Sequence, residues 1–446
     1  MDATVAIDPY ADEPFVATAA RDAARERDRR YLWHTWSPVD ADRTELMMAR
    51  GQGYHLWDVH GRHYVDASSA ALNATCGYAH PHVVAAVRDQ IGRLQHFDLS
   101  MGGHEPAGRL AERIASLLSP DLSRTLLVNS GSEAIEAAVF IAASYWAHVG
   151  RPRTRLVTFS RSYHGATLLT RSMSRLPRSL HPFAPSAPVT FVDLPAEPVV
   201  LRRPESLGGL LDAFAAAIGD DPADRPAAVV VEPFLNVGGA VVLPEGFLRG
   251  LRELCDSTGT LLVLDEVFTG FGRTGRMFAF QHEGIEPDIL VTGKGLCSGY
   301  LPIASLTARR HIYDSFAADP VAGGLRYGHT TSGHAVACAG ALATIEVLEQ
   351  EGLVDRAARL GARLLEQLTP LNGRGQVVDV RGLGLTVVLQ MASPEAATAL
   401  LDRGRAYGVL LRRPTDAVMA IPPLVIDEAG IDAVAERIHR AHRDMS

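Results

Sequence analysis

A lysine between two glycines is the first residue whose setting could support chemistry. Lys294 stands between Gly293 and Gly295, directly after the apolar run Ile289–Thr292. A lysine in an apolar pocket has a lowered pKa and can act as a nucleophilic amine that forms a Schiff base. Flanking glycines permit an unusual backbone path and the close approach of a ligand. Taken alone, the fragment also fits a surface lysine in a glycine turn.

Two carboxylates form a second candidate site. Asp265 and Glu266 follow the apolar run Thr260–Leu264. Open α/β sheets bind their ligands at the carboxyl ends of strands, so this position favours a functional pair. The alternative is an exposed acidic strand end that caps the next turn.

Small residues form a third candidate site, at Ser130, Gly131 and Ser132. They lie between a predicted strand, Thr125–Asn129, and a predicted helix, Ala134–His148. Backbone N–H groups at the start of a helix can bind an anion, and the helix dipole favours negative charge there. Ser132 could add a hydroxyl donor. Ordinary N-capping by serine explains the same pattern, and the fragment alone leaves both interpretations open.

The elements that must position these sites alternate between short strands and helices. The predicted strands are Thr125–Asn129, Arg155–Phe159, Pro188–Val192, Ala227–Val231, Thr260–Leu264 and Ile289–Thr292. Several are apolar at successive positions, which is typical of strands buried on both faces. The sequence therefore predicts an α/β fold whose large domain has a mostly parallel sheet flanked by helices.

Further elements surround this sheet. Alternating segments around Asp58 and Gly61 predict a hairpin. We expect residues 1–30 to form an arm or surface helix, and residues 195–224 to form an inserted loop and helix. Beyond Tyr327 the patterns predict a smaller α/β domain, with helices over 335–368, 394–407 and from 428, and strands over 376–380, 385–390 and 409–411. We expect residues 1–60 to form an N-terminal arm and part of the small domain, 61–326 the large domain, and 327–446 the C-terminal small domain.

Composition excludes several classes of protein. The 446 residues carry a formal net charge of −8. An acidic balance without a basic cluster argues against a nucleic-acid partner, because such affinity depends on Lys and Arg. No apolar run approaches the ~20 residues of a membrane-spanning helix, and the first residues do not follow the pattern of a secretory signal. We therefore expect a cytoplasmic protein without a membrane partner.

Metal and dinucleotide sites are not expected either. Four widely separated cysteines (Cys76, Cys255, Cys297 and Cys338) and 17 scattered histidines lack metal-ligand spacing. Gly270, Gly272 and Gly275 match the spacing of a dinucleotide-binding motif, but neither a strand directly before nor a helix pattern directly after accompanies them. We expect reduced thiols, no metal, and no nicotinamide or flavin.

The order of the sites is more specific than any one of them. Along the chain they are Gly131-Ser132, Tyr163-His164-Gly165, Glu232, Asp265 and Lys294. Together with the stretch from Leu264 to Ile289, they resemble class III, or omega, aminotransferases, which are fold-type I enzymes dependent on pyridoxal 5′-phosphate (PLP). The similarity covers roughly Tyr31 to Leu424.

The resemblance implies a role for each residue. Lys294 would hold PLP as an internal aldimine and later carry a proton between substrate and cofactor, and Asp265 would keep the pyridine nitrogen protonated. Further implied PLP contacts are Gly131 and Ser132 at the phosphate, Tyr163 and Val267 on the ring faces, and His164 and Glu232 nearby. Thr330 matches a threonine that reaches the neighbouring subunit's phosphate, which implies a homodimer.

The resemblance leaves the substrate open. Diaminopelargonate synthases carry paired tryptophans where this chain has Ala71 and Leu72, so we expect the substrate wall at Leu72 to be wider or to have a different partner. Arg412 or Arg413 matches an arginine that binds a substrate carboxylate, and a one-residue gap leaves open which of them aligns. Solvated surface charge is the alternative for each arginine.

The implied activity is transfer of an amino group from a primary amine or amino acid to a keto acid or aldehyde by a ping-pong mechanism. A decarboxylase, racemase or aminomutase would use the same Lys294 and Asp265, so these reactions stay open. A non-enzymatic regulator built on this fold is a further alternative, although no helix-turn-helix pattern supports it.

Overall fold

The computed structural model describes residues 18–41, 46–195, 197–203 and 205–445. The strands, in chain order, are β1 Met48–Gln52, β2 His55–Asp58, β3 His63–Asp66, β4 Leu122–Val128, β5 Leu156–Phe159, β6 Val189–Val192, β7 Ala228–Val231, β8 Phe234–Leu235, β9 Val241–Val242, β10 Leu261–Glu266, β11 Ile289–Thr292, β12 Ala304–Arg309, β13 Val377–Gly382, β14 Val387–Met391, β15 Val409–Leu410 and β16 Ala417–Ala420. The α-helices are Thr18–Tyr31, Pro81–Ile91, Glu105–Ser116, Gly131–His148, Leu168–Ser172, Ser206–Ile218, Phe247–Thr258, Arg310–Ser315, Ala335–Gln350, Leu353–Leu368, Pro394–Ala406 and Glu428–Arg443.

A seven-stranded sheet forms the centre of the fold, in the order β4-β12-β11-β10-β7-β5-β6. The neighbours from β11 to β6 are parallel, whereas β12 is antiparallel to both β11 and β4. Every residue of β5, β7, β10 and β11 is buried. Successive residues of β10 such as Leu262 and Val263 belong to different hydrophobic clusters, so both faces are covered. The predicted mostly parallel, helix-flanked sheet is confirmed.

A second sheet combines three strands from the N-terminal part of the chain with one strand from the C-terminal part. Strands β2 and β3 form the predicted hairpin, β1 extends it, and β15 pairs with β3 in parallel. This pairing brings residues 63–66 beside residues 409–410. The predicted boundary at residue 60 therefore falls between the two strands of one hairpin. Strands β13, β14 and β16 form a separate antiparallel sheet.

The single long helix predicted over 335–368 is wrong. The structure has two helices, Ala335–Gln350 and Leu353–Leu368, separated at Gly352. Gly352 has a φ of +60°, a left-handed conformation that ends helices and that glycine adopts without steric cost. The apolar pattern continues through the break because both helices contribute to the same core.

Within the described ranges, no helix is both long and apolar enough to cross a membrane. The glycine motif at Gly270–Gly275 is followed by turns and a short 3₁₀ segment, Ala279–His282, rather than by an α-helix. This local structure differs from the strand–glycine–helix succession of a dinucleotide site.

Candidate active site

A cavity of about 330 Å³ opens at the carboxyl ends of β4, β5, β7, β10 and β11. Most of the predicted site residues line it: Gly131, Ser132, Tyr163, His164, Glu232, Asp265, Val267 and Lys294. They come from five strand ends that are separated along the chain but adjacent at one edge of the sheet. The parallel arrangement is what brings them together.

Lys294 lies just after β11, separated from it by Gly293, and is the only lysine in the sequence. Its backbone has a φ of +36°, a conformation that costs a non-glycine residue free energy and that recurs at functional sites. Its side chain is partly buried. Burial lowers the pKa of Lys294, the charge of Arg412 lowers it further, and the charges of Asp265 and Glu232 oppose the decrease. A lowered pKa increases the fraction of neutral, nucleophilic amine.

Asp265 is held in one orientation by its neighbours. His164 Nδ1 lies 2.8 Å from Asp265 Oδ2, and the Val267 backbone N–H donates to Asp265 Oδ1 over 3.1 Å. His164 Nε2 is 3.1 Å from the Thr158 hydroxyl. Burial alone would lower the pKa of His164, but its hydrogen bond to Asp265 and the charge of Asp265 raise the pKa above its usual value. The raised pKa increases the protonated fraction of the imidazole.

Glu232 follows β7 and accepts a hydrogen bond from the Tyr163 backbone N–H over 2.8 Å. Burial raises the pKa of Glu232, and the charge of His164 opposes this increase. The contact ties the turn that carries Tyr163 and His164 to the neighbouring strand end. The cavity wall is thus connected across β5 and β7.

The start of helix Gly131–His148 forms one end of the cavity. Ser130 caps this helix by accepting from the Glu133 backbone N–H, so capping falls to Ser130 rather than to Ser132. The Ser132 hydroxyl accepts from the Ala166 backbone N–H over 3.1 Å. A Cβ on Gly165 would lie 2.4 Å from Ser132 Oγ, so this approach requires glycine.

The two candidate arginines have different surroundings. Arg412 is partly buried. Its charge lowers the pKa of Lys294, and the Tyr163 hydroxyl raises the pKa of Arg412. Arg413 is exposed and donates to the Pro394 carbonyl oxygen over 3.2 Å. Neither arginine is among the residues that line the cavity, but Arg412 is the one whose charge lowers the pKa of Lys294.

Leu72 does not line the cavity; it is buried in a cluster with Phe234 and Phe268. The next residue, Asn73, lines the cavity instead. Residues Ser69–Leu72 form a left-handed turn in which every φ lies between +46° and +75°. This turn directs Leu72 into the buried cluster and Asn73 toward the site.

Thr330 is exposed outside this cavity. Its neighbour Thr331 donates from its hydroxyl to Asn129 Oδ1 over 2.9 Å. The segment that carries Thr330 is therefore anchored to the chain's own cavity wall, while Thr330 itself lies on the surface.

Sequence reasoning missed several lining residues, among them Asn73, Asn236 and Phe268. Phe268 lies three residues after Asp265, and its ring centroid is 5.9 Å from Lys294 Nζ. Its position in the stretch from Leu264 to Ile289, on which the family resemblance rests, could have identified it. Asn73 and Asn236 lie in loops and had no comparable signal. In the parts of the chain that the structure describes, no three His, Cys, Asp or Glu residues are grouped as metal ligands would be.

Comparisons with known proteins match this geometry. The sequence profile of the family "Aminotransferase class-III" matches residues 36–442. This chain belongs to the class III aminotransferases. The chain is 31% identical to an adenosylmethionine-8-amino-7-oxononanoate aminotransferase from Geobacter sulfurreducens, over 94% of this chain and 96% of the relative. It is 33% identical to an acetylornithine aminotransferase from Methanothermobacter thermautotrophicus, over 94% and 98% of the two chains.

A solved structure supports the same assignment. An amine transaminase from an uncultivated Pseudomonas species, in its PLP-bound form, is 30% identical with a TM-score of 0.87, over 94% of this chain and 99% of the other. Class III aminotransferases depend on PLP, and this aminotransferase therefore uses that cofactor. Its residues fit such a group: a reactive lysine, an oriented carboxylate, and a helix start whose neighbouring turn leaves no room for a Cβ at Gly165.

Proposed function

We propose that this aminotransferase moves an amino group from a primary amine or amino acid to a keto acid or aldehyde by a ping-pong mechanism. The first product leaves before the acceptor binds. The observation that carries the proposal is the pairing of β10 with β11 in parallel, which brings Asp265 and Lys294 to one cavity. An amine and an oriented carboxylate at adjacent strand ends are what PLP chemistry requires.

Lys294 would hold the cofactor through Nζ and, once substrate has displaced it, would transfer the substrate proton. When bound, PLP supplies an aldehyde that takes up the amino group and a ring that takes up electrons from the substrate carbon. Because burial lowers the pKa of Lys294, a larger fraction of Nζ is the neutral amine. The same atom would accept a proton from the substrate carbon and donate it to the cofactor carbon C4′.

Asp265 would keep a proton on the cofactor's ring nitrogen. His164 and the Val267 backbone N–H contact one carboxylate oxygen each, which orients the carboxylate. Tyr163 and Val267 would lie against the two ring faces, and Glu232 accepts from the Tyr163 backbone N–H.

The phosphate end is bound by backbone N–H groups and hydroxyls. Gly131 and Ser132 provide donors at the start of a helix, where the helix dipole favours an anion. Thr330 of the partner subunit completes this end, which accounts for its exposure in a single chain. The working unit is therefore a homodimer.

We assign binding of the substrate carboxylate to Arg412, since it is partly buried and its charge lowers the pKa of Lys294. Arg413, which is exposed, and Leu72, which is buried in a hydrophobic cluster, have no part in this proposal. The pairing of β3 with β15 supports a small domain that includes residues 48–66 along with 327–446. The cytoplasmic location stays a prediction of the sequence.

Borohydride reduction of the PLP-loaded protein tests the role of Lys294. Because Lys294 is the only lysine, reduction should attach one pyridoxyl group to a single peptide. Lys294→Ala should lose this label and amino-transfer activity, while Arg413→Gln serves as the control that retains both. A Lys294→Ala protein with normal turnover would overturn the assignment.

The reaction type is tested with donor alone. Addition of an amine donor without acceptor should convert bound PLP stoichiometrically to pyridoxamine phosphate (PMP), seen by its absorbance change across a donor panel. Carbon dioxide release or racemisation without an acceptor would instead identify a decarboxylase or racemase.

A further inference from the structure

Asn236 is a buried amide in the wall of the active-site cavity. Only 2% of its surface is exposed, and its Oδ1 atom has no hydrogen-bond partner within the described parts of the chain. A buried acceptor without a donor costs free energy of folding. Because this acceptor belongs to the wall of the cofactor cavity, a bound ligand is the expected source of the donor.

The loop that carries Asn236 is fixed by contacts outside the cavity. Strands β8 and β9 pair antiparallel, and residues 236–240 connect them. The carbonyl oxygen of Asn236 accepts from the Ala240 backbone N–H over 2.9 Å. Arg381, of which only 2% is exposed, donates to the carbonyl oxygens of Gly239 and Ala240 over 2.9 Å each. The backbone of Asn236 is therefore held at the cavity wall without any ligand.

Ring contacts connect this loop to the amine of Lys294. Phe234 lies in β8, two residues before Asn236, and its ring centroid is 5.5 Å from that of Phe268. The Phe268 ring centroid is in turn 5.9 Å from Lys294 Nζ. The helix that starts at Gly131 follows β4, and three strands lie between β4 and β7, the strand that precedes β8. The loop is thus linked to Lys294 through packed rings, whereas the helix start lies across the sheet.

The hydrogen-bonding groups of the ligand limit what an amide oxygen can bind in this cavity. An amide oxygen accepts hydrogen bonds and donates none. The phosphate and the ionised ring hydroxyl of PLP are acceptors, and the proton on the ring nitrogen faces Asp265 in the proposed mechanism. The remaining N–H donors belong to the amino group that is transferred. In PMP this group is attached at C4′, the carbon through which Lys294 would hold PLP.

We propose that Asn236 is a further cofactor-binding residue whose Oδ1 atom accepts a hydrogen bond from the amino group of PMP. This inference rests on the proposed transamination and deepens it, because it names a residue that binds the transferred nitrogen between the two half-reactions. The contact is absent from the empty cavity. Asn236 therefore stabilises the PMP-bound state, whereas its unpaired acceptor destabilises the empty protein.

A comparison of two probes tests the contact without turnover. PMP and 4-deoxypyridoxine 5′-phosphate share the ring nitrogen, the ring hydroxyl and the phosphate, but only PMP carries an amino group at C4′. Calorimetry measures both affinities in the full-length protein freed of cofactor. Asn236→Leu keeps the size of the side chain and removes the acceptor. It should weaken PMP binding by about 10-fold, the loss expected for one hydrogen bond, and leave binding of the deoxy probe unchanged.

Matched variants separate the polar contact from the shape of the wall. Asn236→Asp retains an acceptor and should keep the preference for PMP, whereas Asn236→Ala should lose it as Asn236→Leu does. Val237→Ala changes the next wall residue, which has no polar side-chain atom, and should alter the two affinities by the same factor. Binding of the deoxy probe also shows that the site of each variant is folded.

Equal losses for the two probes in Asn236→Leu would indicate that the amide contacts a group they share, such as the ring hydroxyl, and would overturn the inference. A preference for PMP that persists in both Asn236→Leu and Asn236→Ala would overturn it as well. Transamination is tested separately, by conversion of bound PLP to PMP with a donor. A wild-type enzyme that shows the expected probe preference but converts no donor would overturn the proposed function and not the contact.

Discussion

Gly165→Ala is expected to weaken cofactor binding through a clash at the start of helix Gly131–His148. Gly165 has a φ of +141°, and an added Cβ would lie 2.4 Å from Ser132 Oγ and 2.9 Å from Ser132 Cα. Because the backbone of Ser132 is involved, rotation of its side chain cannot relieve the clash. The helix start must move away from Ala166, whose N–H donates to Ser132 Oγ.

The size of the effect follows from two separable contributions. A left-handed backbone costs alanine about 1–2 kcal/mol of folding stability. Displacement of one hydrogen-bonding group from the phosphate costs a further 1.5–3 kcal/mol or so of binding free energy, which is about 10- to 150-fold in affinity. The control is Gly150→Ala, at the other end of the same helix, where φ is +75° and nothing lies within 4 Å of the added Cβ.

The assay is the dissociation constant of PMP, which has no covalent link to Lys294 and so reports the non-covalent contacts. Both variants should lose stability in urea, Gly165→Ala more than Gly150→Ala because of the clash, and Gly165→Ala alone should bind PMP more weakly. Equal PMP affinity in the two variants would refute the idea that the Gly165–Ser132 approach shapes the phosphate site.

Two further predictions concern stability. Gly361→Ala should lower the urea midpoint far more than Gly352→Ala. The added Cβ at residue 361 would lie 1.9 Å from the Gly384 carbonyl oxygen, whereas the space around Gly352 is open. Similar urea midpoints for the two variants would contradict this prediction. Burial is the main cause that lowers the pKa values of His55 and His63 in the folded protein. As the pH falls below about 6.5, the usual pKa of histidine, the unfolded chain therefore takes up protons before the folded protein does. The folded protein should then lose stability that is fully present at higher pH. The urea midpoint should therefore drop between pH 7.5 and 5.5, and less so in His63→Gln; a drop of equal size in both proteins would count against the assignment.

The central sheet could be predicted where burial on both faces of a strand produces an unbroken apolar run in the sequence. Strands such as β7 and β11 are buried at every residue and read as unbroken apolar runs. Strand β12 was not predicted, although it is buried. Its Ser305 and Thr307 hydroxyls lie 2.7 Å and 2.9 Å from the hydroxyls of Thr292 and Thr125. These polar side chains are satisfied by hydroxyls on the two neighbouring strands, β11 and β4, so the local pattern did not indicate a buried strand.

The candidate site could be predicted where its residues lie at the ends of such strands, as Asp265 in β10 and Lys294 just after β11 do. The choice between Arg412 and Arg413 could not, because it depends on the register in which this segment pairs with β16. Arg412 forms an antiparallel bridge with Met419, and this register directs adjacent side chains to opposite faces. A shift of one residue would have exchanged the positions of the two arginines, and the sequence pattern does not encode that register.

The left-handed turn at Ser69–Leu72 explains why Leu72 lies away from the cavity. Each non-glycine residue in this conformation costs about 1–2 kcal/mol, so the turn persists only if its surroundings hold it. Asp66 accepts from the Ala70 backbone N–H over 3.0 Å and from the Tyr78 hydroxyl over 2.6 Å. The buried Arg273 lies 3.4 Å from the Ser69 hydroxyl and donates to the Pro422 carbonyl oxygen. The position of Asn73 in the cavity wall thus depends on buried charges outside the cavity, which a comparison of wall residues alone would miss.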